Sequence, residues 1–179
     1  MAFCLPNYLL NFDAMRPVNL FVLIVILASC KGPVSREDLF NSYFEPYLDL
    51  VSGQQVNERN VTLLDGMKAY SIGEYEEAIR NLNQFSSKEP DIAAPYMYMG
   101  VSYLALNKPF EAELMFDHLD NLQPNNFIDQ SQWYTALCLL RSDQIDRCKE
   151  HLNTISTRPK HTYKQQAKEL LADLDANGI

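Results

Sequence analysis

The arrangement of apolar and polar positions divides the chain into two parts of different character. Residues 20–28 form an unbroken apolar run, LFVLIVILA, whereas from residue 58 onward apolar positions recur every three or four residues. The second pattern is typical of amphipathic helices that bury one face. It predicts helices at about 58–72, 74–87, 92–106, 108–121, 129–141 and 143–156, and no segment shows the alternation of a strand.

Two further helices are predicted on either side of this array. Ser35 with Asp38 three residues later is the pattern of a helix N-terminus, and it predicts a short helix that breaks near Pro46. The last segment, KHTYKQQAKELLADLDA, carries charge on one face and apolar residues on the other, namely Tyr163, Ala167, Leu170 and Leu171. This amphipathic pattern predicts a C-terminal capping helix.

The apolar run at residues 20–28 is too short to cross a bilayer, because a spanning helix needs about 20 apolar residues. Arg16 precedes the run, and the small residues Ala28 and Ser29 end it, which is the order of a secretory signal peptide. A plain cleaved signal and a buried apolar stretch are the alternatives to the lipoprotein signal described next.

The tetrapeptide LASC at residues 27–30 resembles the lipobox of bacterial lipoproteins. In that family a diacylglyceryl group joins the cysteine sulfur, and cleavage makes the cysteine the first residue. The resemblance implies lipidation at Cys30, removal of a signal peptide at residues 1–29, and a membrane-anchored protein of the bacterial cell envelope on its periplasmic or outer-membrane face. Residues 1–14 contain no Lys or Arg, so the true start is predicted at Met15.

Small residues and prolines recur in the helical part at a spacing of 34 residues, which indicates an internal repeat. The equivalent pairs are Gly66 and Gly100, Ala78 and Ala112, and Pro90 and Pro124. A third copy places Ala136 and Cys148 at the same internal spacing of 12, but it starts two residues late. The extra length is predicted to lie in the loop QPNNFIDQ.

These spacings resemble the tetratricopeptide repeat (TPR) pattern. The resemblance implies an all-α fold: a TPR-like α-solenoid of about three helix-turn-helix repeats plus the capping helix at 58–179, preceded by a tether and short helix at 30–57. Gly66 with Ala78, Gly100 with Ala112, and Ala136 with Cys148 are then close helix contacts. Leu82, Phe116 and Leu152 fill the space toward the next repeat. A generic helical bundle with accidental spacing is the alternative.

The resemblance also implies a concave groove lined by the first helix of each repeat. Its lining would be Asn60, Leu63, Met67, Tyr70, Met97, Val101, Leu104, Trp133, Leu137 and Leu140. Because this lining is mostly apolar, it suits a helical or extended hydrophobic segment of a partner protein. Alternatively, the chain fills the groove with its own aromatic segment, which holds Phe40, Tyr43, Phe44 and Tyr47. An open groove requires partial exposure of Tyr70, Met97 and Trp133.

The candidate chemistry favours a binding protein over an enzyme. The three histidines, His118, His151 and His161, are far apart, and no phosphate-binding loop or nucleophile motif is present, so no catalytic residue, metal or cofactor is predicted. The net charge of −8 argues against a nucleic-acid partner. We therefore expect a lipid-anchored adaptor for protein–protein interaction; the alternative is a structural accessory subunit whose groove is self-filled.

Cys138 and Cys148 allow two interpretations. An exported protein lies in a compartment that permits disulfides, and a separation of ten residues places the two cysteines on the two helices of the third repeat. However, Cys148 occupies a position where the repeat needs a small packed residue, and a free cysteine behaves as a small hydrophobe. Two buried free thiols and a disulfide both remain open at this point.

Overall fold

Eight helices make up most of residues 34–179, the part of the chain that this computed structural model describes. They are α1 Arg36–Tyr43, α2 Val61–Ser71, α3 Tyr75–Ser86, α4 Ala93–Ala105, α5 Pro109–Asp120, α6 Ile128–Arg141, α7 Ile145–Thr157 and α8 Lys164–Ala176. No strand occurs within these residues. The predicted all-α class is confirmed for them, while the predictions for the signal peptide, Met15 and Cys30 lie outside the described residues.

The short helix α1 begins as its sequence predicts. The Ser35 hydroxyl accepts a hydrogen bond from the Asp38 backbone N–H at 3.1 Å, and the Asp38 carboxylate accepts one from the Ser35 N–H at 2.9 Å. This reciprocal pair satisfies two amide groups that the first helical turn leaves without partners. The helix ends at Tyr43, three residues before Pro46, and the chain continues in extended form.

Three turns of the same design join the helices in pairs. Gly73, Asn107 and Asp143 each have a positive φ, of 80°, 58° and 65° respectively. The residue after each one donates its N–H to a carbonyl five residues earlier, as in Lys108 to Tyr103 at 2.9 Å. This geometry ends one helix and reverses the chain. The sequence analysis did not single out Asn107 and Asp143, although Asn and Asp tolerate this conformation better than other side chains.

Each helix from α2 to α7 packs against the next one in the chain. In addition, α2 contacts α4, and α4 contacts α6, so the first helices of the three pairs adjoin one another. Helix α1 is the exception to this sequential order, because it packs against α6 and α8 near the other end of the sequence. Residues Ser35–Ile179 thereby form one compact unit.

The repeated small residues lie where helices approach closely, but their neighbours differ in part from the prediction. A Cβ atom added to Gly100 would lie 2.5 Å from Cε1 of Phe116, and one on Gly66 would lie 2.9 Å from Cγ of Leu82. Phe116 and Leu82 therefore cover the glycine of their own pair, rather than only filling space toward the next pair. In the third pair the predicted contact is confirmed, since the Cys148 thiol donates to the Ala136 carbonyl at 3.3 Å.

The two helices of each pair bury different amounts of surface. We call α2, α4 and α6 the inner helices and α3, α5 and α7 the outer helices. The inner α4 buries nine of its residues, from Pro95 to Leu104, whereas the outer α5 buries only Ala112, Phe116 and Leu119. The inner helices thus form the centre of the core.

Candidate functional site

A segment at the start of the described residues covers the side of the inner helices that the outer helices leave open. We call residues 36–51 the strap; it consists of α1 and an extended stretch from Phe44 to Val51. Along that stretch Val51 is buried, whereas Leu48 and Leu50 are 71% and 62% exposed. The alternation shows that one edge of the extended chain faces the inner helices and the other faces solvent.

One tyrosine from each inner helix fixes the extended part of the strap. The phenol of Tyr70 in α2 donates to the Tyr47 carbonyl at 2.6 Å, and that of Tyr134 in α6 donates to the Glu45 carbonyl at 2.6 Å. In α4 the Tyr98 hydroxyl donates to the Leu48 carbonyl and accepts from the Leu50 N–H, both at 3.0 Å. The strap is therefore held through its main chain by three phenols.

Burial keeps these three phenols protonated, the form that can donate a hydrogen bond. It raises the pKa of Tyr98 to about 12 and raises the pKa values of Tyr70 and Tyr134 further, because the charged phenolate would be poorly solvated there. All three hydroxyl groups therefore stay protonated at neutral pH. A buried tyrosine normally finds a hydrogen-bond partner, and here each partner is a group of the strap.

Aromatic contacts add to the main-chain hydrogen bonds. The ring of Phe44 lies edge-on to Tyr134 at 6.4 Å, and the ring of Tyr47 lies 6.0 Å from that of Tyr98. Such pairs contribute about 0.5–1.5 kcal/mol each beyond the area that they bury. The aromatic segment singled out in the sequence therefore packs on the inner helices.

Charged groups hold α1 at the turn end of the helix pairs. Arg36 pairs with Asp143 at 2.7 Å, and Arg141 pairs with Glu37 at 3.3 Å. The Arg141 guanidinium also lies over the Phe40 ring, 4.8 Å from its centroid. Because these pairs are partly exposed, each is worth at most about 1 kcal/mol. Leu39 and Phe40 of the same helix are buried.

Two of the ten predicted groove residues contact the strap directly, since Tyr70 bonds to the Tyr47 carbonyl and Trp133 meets the Tyr43 ring. Asn60 is half-buried, and the other nine are buried: Leu63, Met67, Tyr70, Met97, Val101, Leu104, Trp133, Leu137 and Leu140. The partial exposure that an open groove requires of Tyr70, Met97 and Trp133 is therefore wrong for this structure. The physical reason is that the chain's own aromatic segment supplies the apolar cover that a partner was expected to supply.

Trp133 shows how complete this cover is. Its ring is 3% exposed. Tyr43 of the strap meets it edge-on at 6.3 Å, and Tyr163 stacks parallel to it at 5.4 Å. Sequence analysis assigned Tyr163 only to the apolar face of the last helix, and its role as a cover of Trp133 was missed.

A cleft remains between the strap and helices α6 and α8, with a volume of about 650 Å³. Its walls include Tyr43, Tyr47 and Tyr163, and Trp133 lies beneath them. Glu45 and Glu169 stand at its rim. The Tyr43 hydroxyl donates to the Asp173 carboxylate at 2.6 Å, which ties the strap to α8.

No histidine lines this cleft, although the His161 ring packs against that of Tyr163 at 6.4 Å. His151 contacts the Gln132 backbone carbonyl at 3.0 Å, and His161 lies 3.2 Å from the Gln132 side-chain oxygen and 3.6 Å from Asp129. Burial lowers the pKa of both imidazoles, so they are neutral at pH 7. Within residues 34–179 no cluster of His, Cys, Asp and Glu could hold a metal ion.

Cys138 and Cys148 are both free and buried, which decides between the two interpretations in favour of packed thiols. Burial raises the pKa of the Cys148 thiol to about 12 and that of Cys138 as well. A thiol in this state is a poor nucleophile, since the thiolate is the reactive form. The two side chains contribute to the core of the third helix pair.

The described helices do not assign a location to the chain, and similarity to other proteins does not assign a family. None of the described helices is long and apolar enough to cross a membrane. Comparison with protein-family models, with curated proteins and with solved structures gives no match for this chain.

Proposed function

We propose that the chain is a non-catalytic structural subunit of a bacterial envelope complex, anchored by a lipid on Cys30 and built from three TPR-like helix pairs with α8 as the cap. The observation that carries this proposal is the strap. Its three carbonyl groups are held by tyrosines from all three inner helices, so the surface that a TPR adaptor offers to its ligands is already occupied.

The repeated design of the pairs supports the TPR-like part of the proposal. The left-handed turn residues Gly73, Asn107 and Asp143 are spaced by 34 and then 36 residues, the same intervals that separate Gly66, Gly100 and Ala136. The first helices of successive pairs also contact one another. Stacking of similar helix pairs in this order is how repeat proteins build a continuous core.

A structural subunit needs an interface elsewhere, and the outer helix α5 offers one. Phe110 and Leu114 lie one turn apart on α5 and are 61% and 63% exposed. At the equivalent positions of the neighbouring outer helices the residues are charged: Glu76 and Arg80 in α3, and Asp146 and Glu150 in α7. The middle pair is thus the one whose outer face is apolar, a feature typical of a protein contact.

An adaptor whose strap is displaced is the second candidate. One observation favours it: the strap is held through main-chain groups, and any extended peptide carries such groups. A partner segment with suitable aromatic residues could therefore compete for the three phenols.

Affinity capture from detergent-solubilised envelope separates the two candidates. The wild-type protein is compared with a surface variant, Phe110→Ser with Leu114→Ser, and with a strap variant in which Tyr70, Tyr98 and Tyr134 are changed to Phe. A structural subunit should capture its partner in stoichiometric amounts, lose it in the surface variant and keep it in the strap variant. Increased capture by the strap variant, with no effect of the surface variant, would contradict the proposal and support the adaptor.

Mass spectrometry of the native protein tests the anchor independently. We expect a mature chain that begins at a lipid-modified Cys30, and Cys30→Ala should remain unprocessed. Detection of an N-terminus that retains Met1 or Met15 would exclude lipid anchoring, but it would leave the structural role of the helical part open to the capture experiment.

A further inference from the structure

The cleft between the strap and α8 combines aromatic walls with a negative rim. Tyr43, Tyr47 and Tyr163 are half-buried, so part of each ring faces the cleft. Tyr163 is supported from behind by its parallel stacking on Trp133, with an interplanar angle of 1°. Tyr43 is fixed by its hydrogen bond to Asp173. The rings are therefore positioned before any ligand arrives.

The charges around the cleft all have the same sign. Glu45 and Glu169 contribute carboxylates to the rim, and the described residues that line the cleft include no Lys, Arg or His. Because the lining carries charge of one sign only, it gives a local field that attracts cations and repels anions.

We propose that this cleft is a binding site for an organic cation, an alkylated ammonium group, which contacts the faces of Tyr43, Tyr47 and Tyr163 while Glu45 and Glu169 neutralise its charge. The faces of aromatic rings attract cations, and quaternary ammonium groups are bound in other proteins by walls of this kind. An alkylated ammonium is weakly hydrated and fits an apolar wall, whereas a small metal ion would have to give up its water. The cleft volume of about 650 Å³ lies in the usual range for small-molecule sites.

This inference does not depend on the proposed function, because the site is defined by side chains of the folded unit alone. It does depend on the strap, since Tyr43, Tyr47 and Glu45 belong to it. Binding of a cation would therefore stabilise the strap in its docked position.

Titration with choline tests the proposal on the folded protein. Trp133 is the only tryptophan and stacks on Tyr163, so its fluorescence reports on the cleft. The matched neutral ligand is 3,3-dimethyl-1-butanol, which has the shape of choline without the charge. Choline should bind about tenfold more tightly than this isostere, a ratio typical of a cation on aromatic faces. Equal affinities, or no saturable change with choline, would overturn the proposal.

Two variants locate the site without removing its rings. Glu45→Gln with Glu169→Gln should weaken choline binding about threefold to fivefold, since both carboxylates are exposed and screened. Glu76→Gln with Glu111→Gln, on the outer helices α3 and α5, removes the same number of charges and is the matched control, which should leave binding unchanged. An equal effect of both changes would assign the binding to net charge and exclude the cleft.

A peptide that carries trimethyllysine identifies the source of the cation. It shares the ammonium group with choline but supplies it as a side chain. Tighter binding of the peptide than of choline would indicate a protein ligand, and tighter binding of choline would indicate a free small molecule; both results support the site.

Discussion

The inner and outer helices of a pair have nearly equal lengths, yet they are buried in different ways. In the middle pair, α4 has 13 residues and α5 has 12, but nine are buried in α4 and three in α5. The outer helix meets protein on one side only, whereas the inner helix lies between its outer partner and the strap. The difference shows that the strap is a second layer of the core for the inner helices.

This difference is already present in the sequence. The segment AAPYMYMGVSYLA of α4 is apolar around most of its circumference and contains no charged residue, whereas PFEAELMFDHLD of α5 contains four Asp and Glu residues. A helix that is apolar all round must be covered on more than one side. The pattern therefore predicts that something covers the inner helices, but it does not say what.

Among the variants that test this difference in burial, removal of the strap should have the largest effect on the protein. Deletion of residues 35–52 from the mature chain uncovers the apolar surface around Met97, Tyr98 and Trp133 and should cause self-association. Light scattering coupled to size exclusion measures the oligomeric state, and circular dichroism checks the helical content. A monomer as stable as the full chain would show that the strap is not part of the core.

Trp133→Ala should have the next largest effect. Because Trp133 is fully covered, its truncation should lower the free energy of unfolding by about 3–5 kcal/mol. Phe110→Ala on the outer helix α5 is the matched control, and as a substitution of an exposed residue it should change stability by less than about 0.5 kcal/mol. Chemical denaturation measures both. Similar values for the two variants would remove the distinction between inner and outer helices.

Gly100→Ala tests the contact between the two helices of one pair. The new methyl group would lie 2.5 Å from the Phe116 ring, so we expect a loss of about 1–3 kcal/mol from overpacking. Gly53→Ala is the control, because nothing lies within 4 Å of its added Cβ. Adding Phe116→Leu should recover part of the loss in the double variant, whereas simple additivity would argue against the contact.

The phenol hydrogen bonds should have a smaller effect. Tyr98→Phe leaves the Leu48 carbonyl and the Leu50 N–H without their partner and should cost about 1–2 kcal/mol. Hydrogen exchange of the Leu50 amide should accelerate as well, which a loss of packing elsewhere would not explain. Tyr75→Phe on the outer helix α3 is the matched control, and we expect near-neutral stability and an unchanged Leu50 amide.

The smallest expected effect is the dependence of the free energy of unfolding on pH. Burial lowers the pKa of His151 below its ordinary value of 6.5, so the unfolded chain binds a proton more readily than the folded chain. Stability should therefore be highest above pH 6.5 and fall as the pH drops below that value. His151→Gln should reduce this fall. Denaturation midpoints between neutral and mildly acidic pH provide the measurement.

Local patterns in the sequence predict the helices and the close approaches at Gly66 and Gly100 well. These features depend on residues a few turns apart, whose spacing the sequence displays directly. The cover of Trp133 by Tyr43 and Tyr163 could not be predicted in the same way, because it joins segments far apart in the chain. The turns at Asn107 and Asp143 were missed for another reason: both residue types are common in loops without a positive φ.

The hydrogen bond between Tyr43 and Asp173 joins residues that are 130 positions apart. In a simple stack of repeats each unit contacts only its neighbours, so folding can spread from any unit and the ends can fray independently. Here the first helix of the described chain packs against the last one. Because this contact joins segments far apart in the sequence, it can form only after α8 has formed. The strap thus makes a modular array cooperative: loss of α8 should release α1, and unfolding should proceed in a single step.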